Sequence, residues 1–440
     1  MEKEHSTLES FIIKGVDVMT QDSKTALEML VKEMQVIEYW YDKDEDIRNG
    51  GCEKFVKLVQ AMLLKADPDD DEEMSCAFES AYRLINHFDL SLSKRTESDR
   101  ERALGILDFI QEQGISFTET RYCEHDKTNL RDYLMKKVFE KRPLIEKMFR
   151  IGVDLNQALT DGRTPVHVLV SRKRAGTAFE TAPEEQELAE IMEFFSVESM
   201  EALDTRGQSA VHAAVRENHF EVLAAMIKKG INVNVTEDSP AVGGTTPLHI
   251  ACEHGFPRMV RMLMDAGADD TMKNVKEETP AHIAVSKKIS YKEIKDAERV
   301  EMLRSLKNID IPGRDGQTPL MFAQARELYI SAEVSPLLIE KGADVNRVDI
   351  EGRNAMMLNA KWHGSLDVLK AMVKAGLDVN ARDREGNTVL HILIQWNYIQ
   401  QARYLLKKGA DYNLANNDQV TPLQLAVENG KDELLDLMTI

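Results

Sequence analysis

The chain contains few residues that break helices or cross-link a fold. Of its 440 residues only 12 are prolines and four are cysteines, and aromatic residues make up 6%. The four cysteines show no paired spacing, which argues against a disulfide framework and favours reduced thiols in a cytoplasmic protein. They are Cys52, Cys76, Cys123 and Cys252. Signal-independent export would leave no mark in the sequence.

Long apolar runs are also lacking. No stretch reaches the 18 apolar residues of a membrane span, and the N-terminal segment has neither a basic leader nor a sustained apolar run, so we expect no secretory signal. Acidic residues number 75 against 56 basic ones, a formal net charge of −19. Such a charge disfavours nucleic acids and anionic membrane surfaces as partners.

Motifs that would carry catalysis are missing as well. The sequence has no phosphate-binding glycine loop, no dinucleotide fingerprint, no HExxH and no GxSxG. The acidic run from Asp67 to Glu73 lacks the glycine that a calcium loop needs at its sixth position, where Glu72 stands. The Cys-Glu-His triplets ending at His125 and His254 have no third ligand or base at a suitable spacing. We therefore predict no enzyme, no catalytic residues, no cofactor and no metal site.

The sequence does contain one four-residue motif, or phrase, that recurs eight times. The copies are Thr164-Pro-Val-His, Ser209-Ala-Val-His, Thr246-Pro-Leu-His, Thr279-Pro-Ala-His, Thr318-Pro-Leu-Met, Asn354-Ala-Met-Met, Thr388-Val-Leu-His and Thr421-Pro-Leu-Gln. Successive copies start between 33 and 45 residues apart. A period in this range indicates stacked repeats rather than a globule with a single core.

The unit that opens at Thr246 shows what each repeat encodes. Thr246 is a candidate N-cap, and Pro247 falls at the first helical position, where its missing N–H has no consequence. Two apolar stripes follow, the first running to Gly255 and the second to Gly267, which suits a left-handed C-terminal cap. Phrases such as Ala343-Asp-Val-Asn then provide a turn-rich link to the next unit. The unit therefore predicts two short antiparallel helices.

This phrase resembles the opening of the ankyrin repeat. The resemblance implies an all-α repeat solenoid, in which stacked helix–turn–helix pairs are joined by β-hairpin loops. About eleven units are expected. Residues 114–440 form the predicted solenoid, with units opening near Thr128, Thr164, Ser209, Thr246, Thr279, Thr318, Asn354, Thr388 and Thr421. Residues 1–113 are predicted to be degenerate repeats of the same kind or a separate helical cap.

Five of the 11 histidines recur at the fourth position of the phrase. They are His167, His212, His249, His282 and His391. Ligands of one metal ion must converge within about 2 Å of it, whereas equivalent positions of successive repeats are spread along the stack. The resemblance implies instead that each histidine hydrogen-bonds neighbouring backbone and fixes the hairpin.

Three insertions lengthen individual units, at residues 41–52, 172–186 and 286–297. An insertion into a solenoid is extruded as a loop while the core register persists. We interpret these segments as tolerated surface loops, with the alternative that one of them supplies a specificity contact.

The partner of an ankyrin repeat protein generally meets the hairpin tips and the exposed ends of the first helices. The corresponding helix-end positions of this chain are Glu253, His254, Arg326, Lys361, Trp362, Gln395 and Trp396. Two of the three tryptophans thus stand at equivalent positions 34 residues apart, with Tyr398 close behind. Arg353, Arg384 and Glu385 are predicted to form a charged rim at the tips. The alternative is that both tryptophan rings lie flat between repeats and only stabilise the stack.

The leading functional hypothesis is a non-enzymatic adaptor that binds another protein on its concave surface. A second hypothesis is a regulatory or inhibitory subunit of an enzyme or toxin that uses residues 1–113, and a third is an enzyme hidden in that region. We expect a monomer. The alternative is that the unit at Thr421, whose second helix ends in apolar residues, packs on a second copy.

Overall fold

The computed structural model describes most of the chain from residue 55 onward. Described are residues 55–64, 66, 71–87, 97–115, 117, 131, 141–159, 162–171, 185–240, 243–286, 295–324, 333–362 and 364–438. They divide into two compact units, unit 1 (Met1–Thr205 and His219–Ile231) and unit 2 (Arg206–Asn218 and Asn232–Ile440). Several predicted features lie outside the described residues: the opening at Thr128, the candidate Arg326, the insertion at 41–52 and most of the other two insertions.

All the secondary-structure elements of the described residues are helices. One isolated β-bridge joins Arg382 and Thr388. In chain order the named helices are α1 (Asp71–His87), α2 (Glu97–Glu112), α3 (Lys141–Arg150), α4 (Pro165–Val170), α5 (Glu185–Ile191), α6 (Val197–Glu201), α7 (Ala210–Arg216), α8 (Phe220–Lys228), α9 (Pro247–Glu253), α10 (Pro257–Asp265), α11 (Pro280–Val285), α12 (Asp296–Ser305), α13 (Pro319–Gln324), α14 (Val334–Glu340), α15 (Ala355–Trp362), α16 (Leu366–Lys374), α17 (Val389–Gln395), α18 (Ile399–Lys407), α19 (Pro422–Glu428) and α20 (Asp432–Met438). Residues 55–64 are also helical, and two short 3₁₀ turns span Met192–Phe194 and Arg314–Gly316. The predicted all-α repeat fold is confirmed.

Unit 1 contains α1 to α6 together with α8. Helix α1 packs on α2, α2 on α3, α3 on α5 and α5 on α8, while α4 packs on α6. Its interior is apolar, with Phe78, Leu107 and Met148 at most 1% exposed. The domain boundary at residues 113 and 114 stays a prediction.

Arg131 occupies the fourth position of the weak phrase at Thr128 and is buried in unit 1. Its guanidinium donates from Nη1 to the carbonyl of Asp154 and from Nη2 to the carbonyl of Ala158, both at 3.0 Å. These carbonyls lie in the loop after α3. Arg131 thus hydrogen-bonds the loop after α3. The histidine at the same position of the later repeats is expected to bond neighbouring backbone in the same way.

Unit 2 contains α7 and α9 to α20, and its helices form two layers. The first helices of successive repeats pack side by side in the order α7, α9, α11, α13, α15, α17 and α19. The second helices do the same in the order α10, α12, α14, α16, α18 and α20. Each layer buries its apolar stripe against the other, as at Leu248, Val260 and Leu263, which are inaccessible to solvent.

The threonine, serine or asparagine that opens each of the eight phrases immediately precedes a first helix, as predicted. In unit 2 the Thr246 hydroxyl accepts the His249 N–H at 3.4 Å, and the Asn354 Oδ1 accepts the Met357 N–H at 2.9 Å. Such a cap contributes about 1 kcal/mol to a helix. At the other end of the repeat, Gly267 has φ +91°, which confirms the predicted left-handed cap after α10.

The repeated histidines use one ring nitrogen within their own repeat and the other to tie that repeat to the next. The Thr246 N–H donates to Nδ1 of His249 at 3.2 Å, so this nitrogen carries no proton. Nε2 therefore carries the proton and donates to the carbonyl of Glu278, in the next hairpin, at 3.1 Å. His212, His282 and His391 make the equivalent bonds to hairpin carbonyls of the following repeat. The backbone role that the resemblance implied is confirmed for these residues.

Asparagines of the Asp-Val-Asn phrases make a second tie between repeats of unit 2. Asn346 accepts the Asp378 N–H on Oδ1 at 2.7 Å and donates from Nδ2 to the carbonyl of Gly376 at 2.9 Å. Asn234 and Asn380 repeat this arrangement. Adjacent hairpin tips are also joined directly, because the Arg384 N–H donates to the carbonyl of Glu351 at 2.9 Å.

Among the described helices, none is both long and apolar enough to cross a membrane.

We predict that acid destabilises the stack through its histidines. Burial lowers the pKa of His249 to about 4, whereas the unfolded imidazole titrates near 6.5. The unfolded chain therefore binds the proton first. The free energy of unfolding keeps its full histidine contribution above pH 6.5 and loses it as the pH falls towards 4, by on the order of 3 kcal/mol for His249. Urea denaturation at a series of pH values measures this loss.

The control is His249→Gln, because glutamine stands at this position in the last repeat, where Gln424 Oε1 accepts the Thr421 N–H at 2.7 Å. The variant keeps that backbone bond but does not titrate, so its stability should vary less with pH than that of the wild type. Equal slopes for the two proteins between pH 6.5 and 4 would contradict the assignment.

Candidate functional site

The candidate site lies in unit 2, where α15 and α17 pack side by side. Trp362 is the last residue of α15, and Trp396 is the C-cap of α17. Neighbouring packed helices are about 8–10 Å apart, so the two indoles project from equivalent helix ends at about that spacing. We call the helix ends Lys361–Trp362 and Gln395–Trp396, together with the hairpin tips Ile350–Arg353 and Arg384–Glu385, the tryptophan surface.

Both tryptophan side chains are exposed. Trp362 is 42% accessible and Trp396 is 52% accessible, whereas Leu358 of α15 and Ile394 of α17 are buried. Aromatic residues of this size usually bury most of their area in a folded chain, because they carry a large apolar surface. About half of each indole is therefore left for contact with another molecule.

Lys361 lies beside the first indole. Its Nζ is 5.7 Å from the centroid of the Trp362 ring, within the distance at which an ammonium group is attracted to an aromatic face. Lys361 and Gln395 are themselves exposed. The α15 end thus presents a cation and an indole together, and the α17 end presents an amide and an indole.

Tyr398 contributes more to packing than to the tryptophan surface. It is half-buried, and a Cβ built at Gly364 would lie 2.3 Å from two carbon atoms of its ring. Gly364 has φ +54°, and its carbonyl accepts a hydrogen bond from Gln401 Nε2. The ring of Tyr398 therefore rests directly on the turn after α15, at a position where a side chain could not be accommodated without displacing the ring.

The Asn354 unit holds one residue more between the starts of its two helices than the units at Thr246 and Thr388 do. Helix α15 has eight residues where α9 and α17 have seven. The buried Asn359 accepts the Ser365 N–H on Oδ1 at 3.0 Å and donates from Nδ2 to Gln324 Oε1 at 2.6 Å. Gln324 in turn donates to the hydroxyl of Ser335 at 2.7 Å. This buried network links the lengthened helix to Ser365 at the start of α16 and so fixes the end of α15 that carries Trp362.

The charged rim is partly neutralised within the protein. Arg353 donates to Asp349 Oδ2 from Nε at 3.0 Å and from Nη2 at 2.7 Å, and Nη2 also contacts Glu351 Oε2 at 2.7 Å. Burial alone would lower the pKa of Arg353, but the hydrogen bonds and charge of Asp349 hold it above its ordinary value. Arg384 and Glu385 are exposed at the next tip.

Glu253 and His254 lie at the end of α9, three repeats from Trp362, and so about 30 Å along the stack at the spacing of packed helices. Both are half-buried, and the His254 ring stacks on Phe256 with centroids 5.6 Å apart. Burial lowers the pKa of His254. The structure does not bring these two residues together with the tryptophans.

Sequence reasoning missed two apolar residues at one hairpin tip. Val348 is 50% exposed and Ile350 is 46% exposed. Ile350 stands four residues before Asn354, and the residues at the same offset in the units before and after are Arg314 and Arg384. Aligning the tips by this offset would have revealed isoleucine between two arginines, although valine also stands at this offset in the units at Thr246 and Thr279.

Metal-ligating side chains are scattered in the described part of the chain. Its histidine, cysteine and carboxylate side chains include no group of three or more that could hold a metal ion. Cys252 is fully buried, and burial raises the pKa of its thiol far above its ordinary range. A thiolate nucleophile is therefore not available at Cys252.

Comparison with known proteins places these repeats in context. Residues 182–274, 292–383 and 357–439 match the family model described as ankyrin repeats (3 copies), which covers more than half of the chain. The human B-cell lymphoma 3 protein is 31% identical over 189 residues, which make up 41% of this chain and 39% of that protein. The mouse protein phosphatase 1 regulatory subunit 27 is 31% identical over 85 residues, or 19% of this chain and 53% of that protein.

The chain therefore spans well under two thirds of the length of either relative. A crystal structure of the ankyrin repeat domain of Bcl-3, described as a unique member of the IkappaB protein family, superposes with a TM-score of 0.43 at 26% identity. That superposition covers 50% of this chain and 94% of the Bcl-3 chain.

We predict that Asn359 stabilises the turn below Trp362. Asn359→Leu would leave the Ser365 N–H and the Gln324 carbonyl without a partner, and each unpaired buried group costs about 1–3 kcal/mol. In the double variant Gln324→Leu/Asn359→Leu one of these unpaired groups is gone, so the combined loss should be smaller than the sum of the single losses. Urea denaturation of the four proteins measures the coupling, and strictly additive losses would contradict it.

Proposed function

Because this chain belongs to the ankyrin repeat family, we propose that it is a non-enzymatic adaptor that binds a partner protein on the concave ankyrin surface of unit 2. Ankyrin repeats are general protein–protein interaction modules, and their fold is typically non-enzymatic. The finer proposal is that the tryptophan surface is the centre of the contact. We also propose a cytoplasmic location, because the cysteines are scattered and unpaired in spacing. The net charge of −19 favours a protein rather than a nucleic acid as the partner.

One observation carries this proposal, the exposure of two indoles at equivalent ends of adjacent first helices. Tryptophan is enriched among the residues that dominate binding energy, and removing such an anchor costs about 2 kcal/mol or more. The exposed rings meet this description because each combines a large apolar area with a single N–H donor. The surrounding charged tips would act mainly on association rate and orientation.

The alternative of a regulatory or inhibitory subunit draws on the name of one relative, the mouse protein phosphatase 1 regulatory subunit 27. In this alternative residues 1–113 would contact the regulated enzyme or toxin. Co-purification with one enzyme at fixed stoichiometry, unaffected by changes to the tryptophans, would favour it over the adaptor.

Affinity capture from the source cell tests the adaptor proposal. Three full-length proteins serve as baits: the wild type, Trp362→Ala/Trp396→Ala, and Tyr404→Ala. Tyr404 is the matched control because it lies on a second helix, α18, with the Nζ of Lys408 5.7 Å from its ring centroid, the same distance as between Lys361 and Trp362. Thermal melts should first show that all three fold alike.

We expect a partner that the wild type and Tyr404→Ala retain and that the double variant loses. Loss of two anchors should weaken the interaction by about a hundredfold or more. If all three baits retain the partner equally, the tryptophan surface is not its binding site. If the double variant melts at a much lower temperature than the control, the two indole rings stabilise the packing between repeats instead of binding a partner.

A further inference from the structure

Two cations of the tryptophan surface, Lys361 at a helix end and Arg384 at a hairpin tip, have no carboxylate partner among the described residues. Lys361 and Arg384 are both exposed, and neither forms an ion pair within the described residues. Arg353, by contrast, is bound to two carboxylates. Lys361 and Arg384 therefore keep their full charge available to an incoming molecule.

The acidic groups of the same surface are engaged internally. The Glu351 carboxylate contacts Arg353, and Glu385 Oε2 accepts a hydrogen bond from Asn387 Nδ2 at 3.1 Å. Behind them, Asp349 and Asp383 accept backbone N–H groups of their own hairpins. The acids are thus partly satisfied by the protein, whereas the cations Lys361 and Arg384 are not.

The local charge differs from that of the whole chain. Arg353, Lys361 and Arg384 against Glu351 and Glu385 give the tryptophan surface itself a formal charge of +1, with the internally bonded Asp349 and Asp383 behind it, within a chain whose net charge is −19. Such a contrast favours acidic partners at this surface and repels them from most of the rest of the molecule.

Apolar area lies next to these cations. Ile350 at one tip is 46% exposed, and the two tryptophans are 42% and 52% exposed. Helix α15 runs from this tip to Trp362 over eight residues, about 12 Å at the rise of an α-helix. The surface thus combines apolar and cationic groups both at the hairpin tips and at the helix ends, over the length of a short peptide.

We propose that the tryptophan surface recognises a protein segment in which apolar side chains stand beside aspartate or glutamate. The apolar side chains would cover the two indoles and Ile350, and the carboxylates would pair with Lys361 and Arg384. Lys361 lies beside an indole, with its Nζ 5.7 Å from the Trp362 ring centroid, so a carboxylate that pairs with it would stand next to the apolar contact. This inference rests on the proposed function, because it specifies the partner of the same surface.

Selection from a random dodecapeptide library on the immobilised full-length protein tests the inference. Selected peptides are then synthesised with a fluorophore, and their affinities are measured by fluorescence anisotropy for four proteins. These are the wild type, Trp362→Ala/Trp396→Ala, Lys361→Ala/Arg384→Ala and Lys374→Ala/Lys407→Ala. The last variant is the charge control, since it removes two exposed lysines from the second helices α16 and α18.

We expect peptides rich in aspartate or glutamate beside leucine, isoleucine, phenylalanine or tryptophan. Their affinity should fall about tenfold or more for Lys361→Ala/Arg384→Ala and should change little for the control. It should also weaken as salt concentration rises, because exposed charge pairs are screened. Circular dichroism melts confirm that the variants are folded.

The outcomes separate this inference from the proposed function. Peptides that need the tryptophans but carry no acidic residues would overturn the inference and leave the adaptor surface in place. Peptides that bind the tryptophan double variant as well as the wild type would overturn both. If an oligonucleotide of similar charge displaces the acidic peptides at equal concentration, the surface is a general anion site and the inference fails.

Discussion

The helices of unit 2 are six to ten residues long, and isolated helices of this length are unstable in water because nucleation is unfavourable. Each pair must therefore bury its apolar stripe against its neighbours, and the core is a continuous layer between first and second helices. Stability becomes a sum of repeat terms and interface terms. Any bond that crosses an interface thus supports the repeats on both sides of it.

The histidine at the fourth position of the repeated phrase joins neighbouring repeats in this way. It accepts a hydrogen bond on Nδ1 from the residue that caps its own helix and donates from Nε2 to the next hairpin, so one neutral ring fixes both the helix start and the repeat spacing. The units at Thr318 and Asn354 have Met321 and Met357 instead, and there the cap makes its bond to the helix alone. In the described structure, Asn354 Nδ2 is buried without a hydrogen-bond partner. The interfaces around α15 therefore depend more on packing and on the Gln324–Asn359 network.

Much of this fold could be predicted from the sequence because each recurrent residue performs one local task. Thr246 and Gly267 mark the ends of a helix pair by backbone chemistry that does not depend on the rest of the fold. Asn359 could not be interpreted in this way. A polar residue in an apolar stripe has a role only once its partners, Gln324 and the Ser365 N–H, are known, and these lie in another repeat and beyond an altered turn.

The candidate site was predictable to a similar degree and for the same reason. Equivalent positions in adjacent repeats place Trp362 and Trp396 side by side, as spacing alone indicates. The directions of their rings, the packing of Tyr398 on Gly364 and the exposure of Ile350 depend on side-chain contacts that periodicity does not encode. Those contacts are what distinguish an outward aromatic from one that fills the stack.

The tryptophan surface is made from helix ends and hairpin tips. Capping, histidine and glycine positions are fixed by the requirement to join repeats, whereas the repeat signature leaves the side chains at helix ends and hairpin tips free to vary. The two half-exposed indoles and the half-exposed isoleucine therefore carry apolar area that folding leaves uncovered. Among the described residues, the charges of Lys361 and Arg384 are likewise left without a carboxylate partner. An acidic and apolar segment satisfies both kinds of group at once, because covering the indoles excludes water from the neighbouring cations and thereby strengthens their pairing with carboxylates.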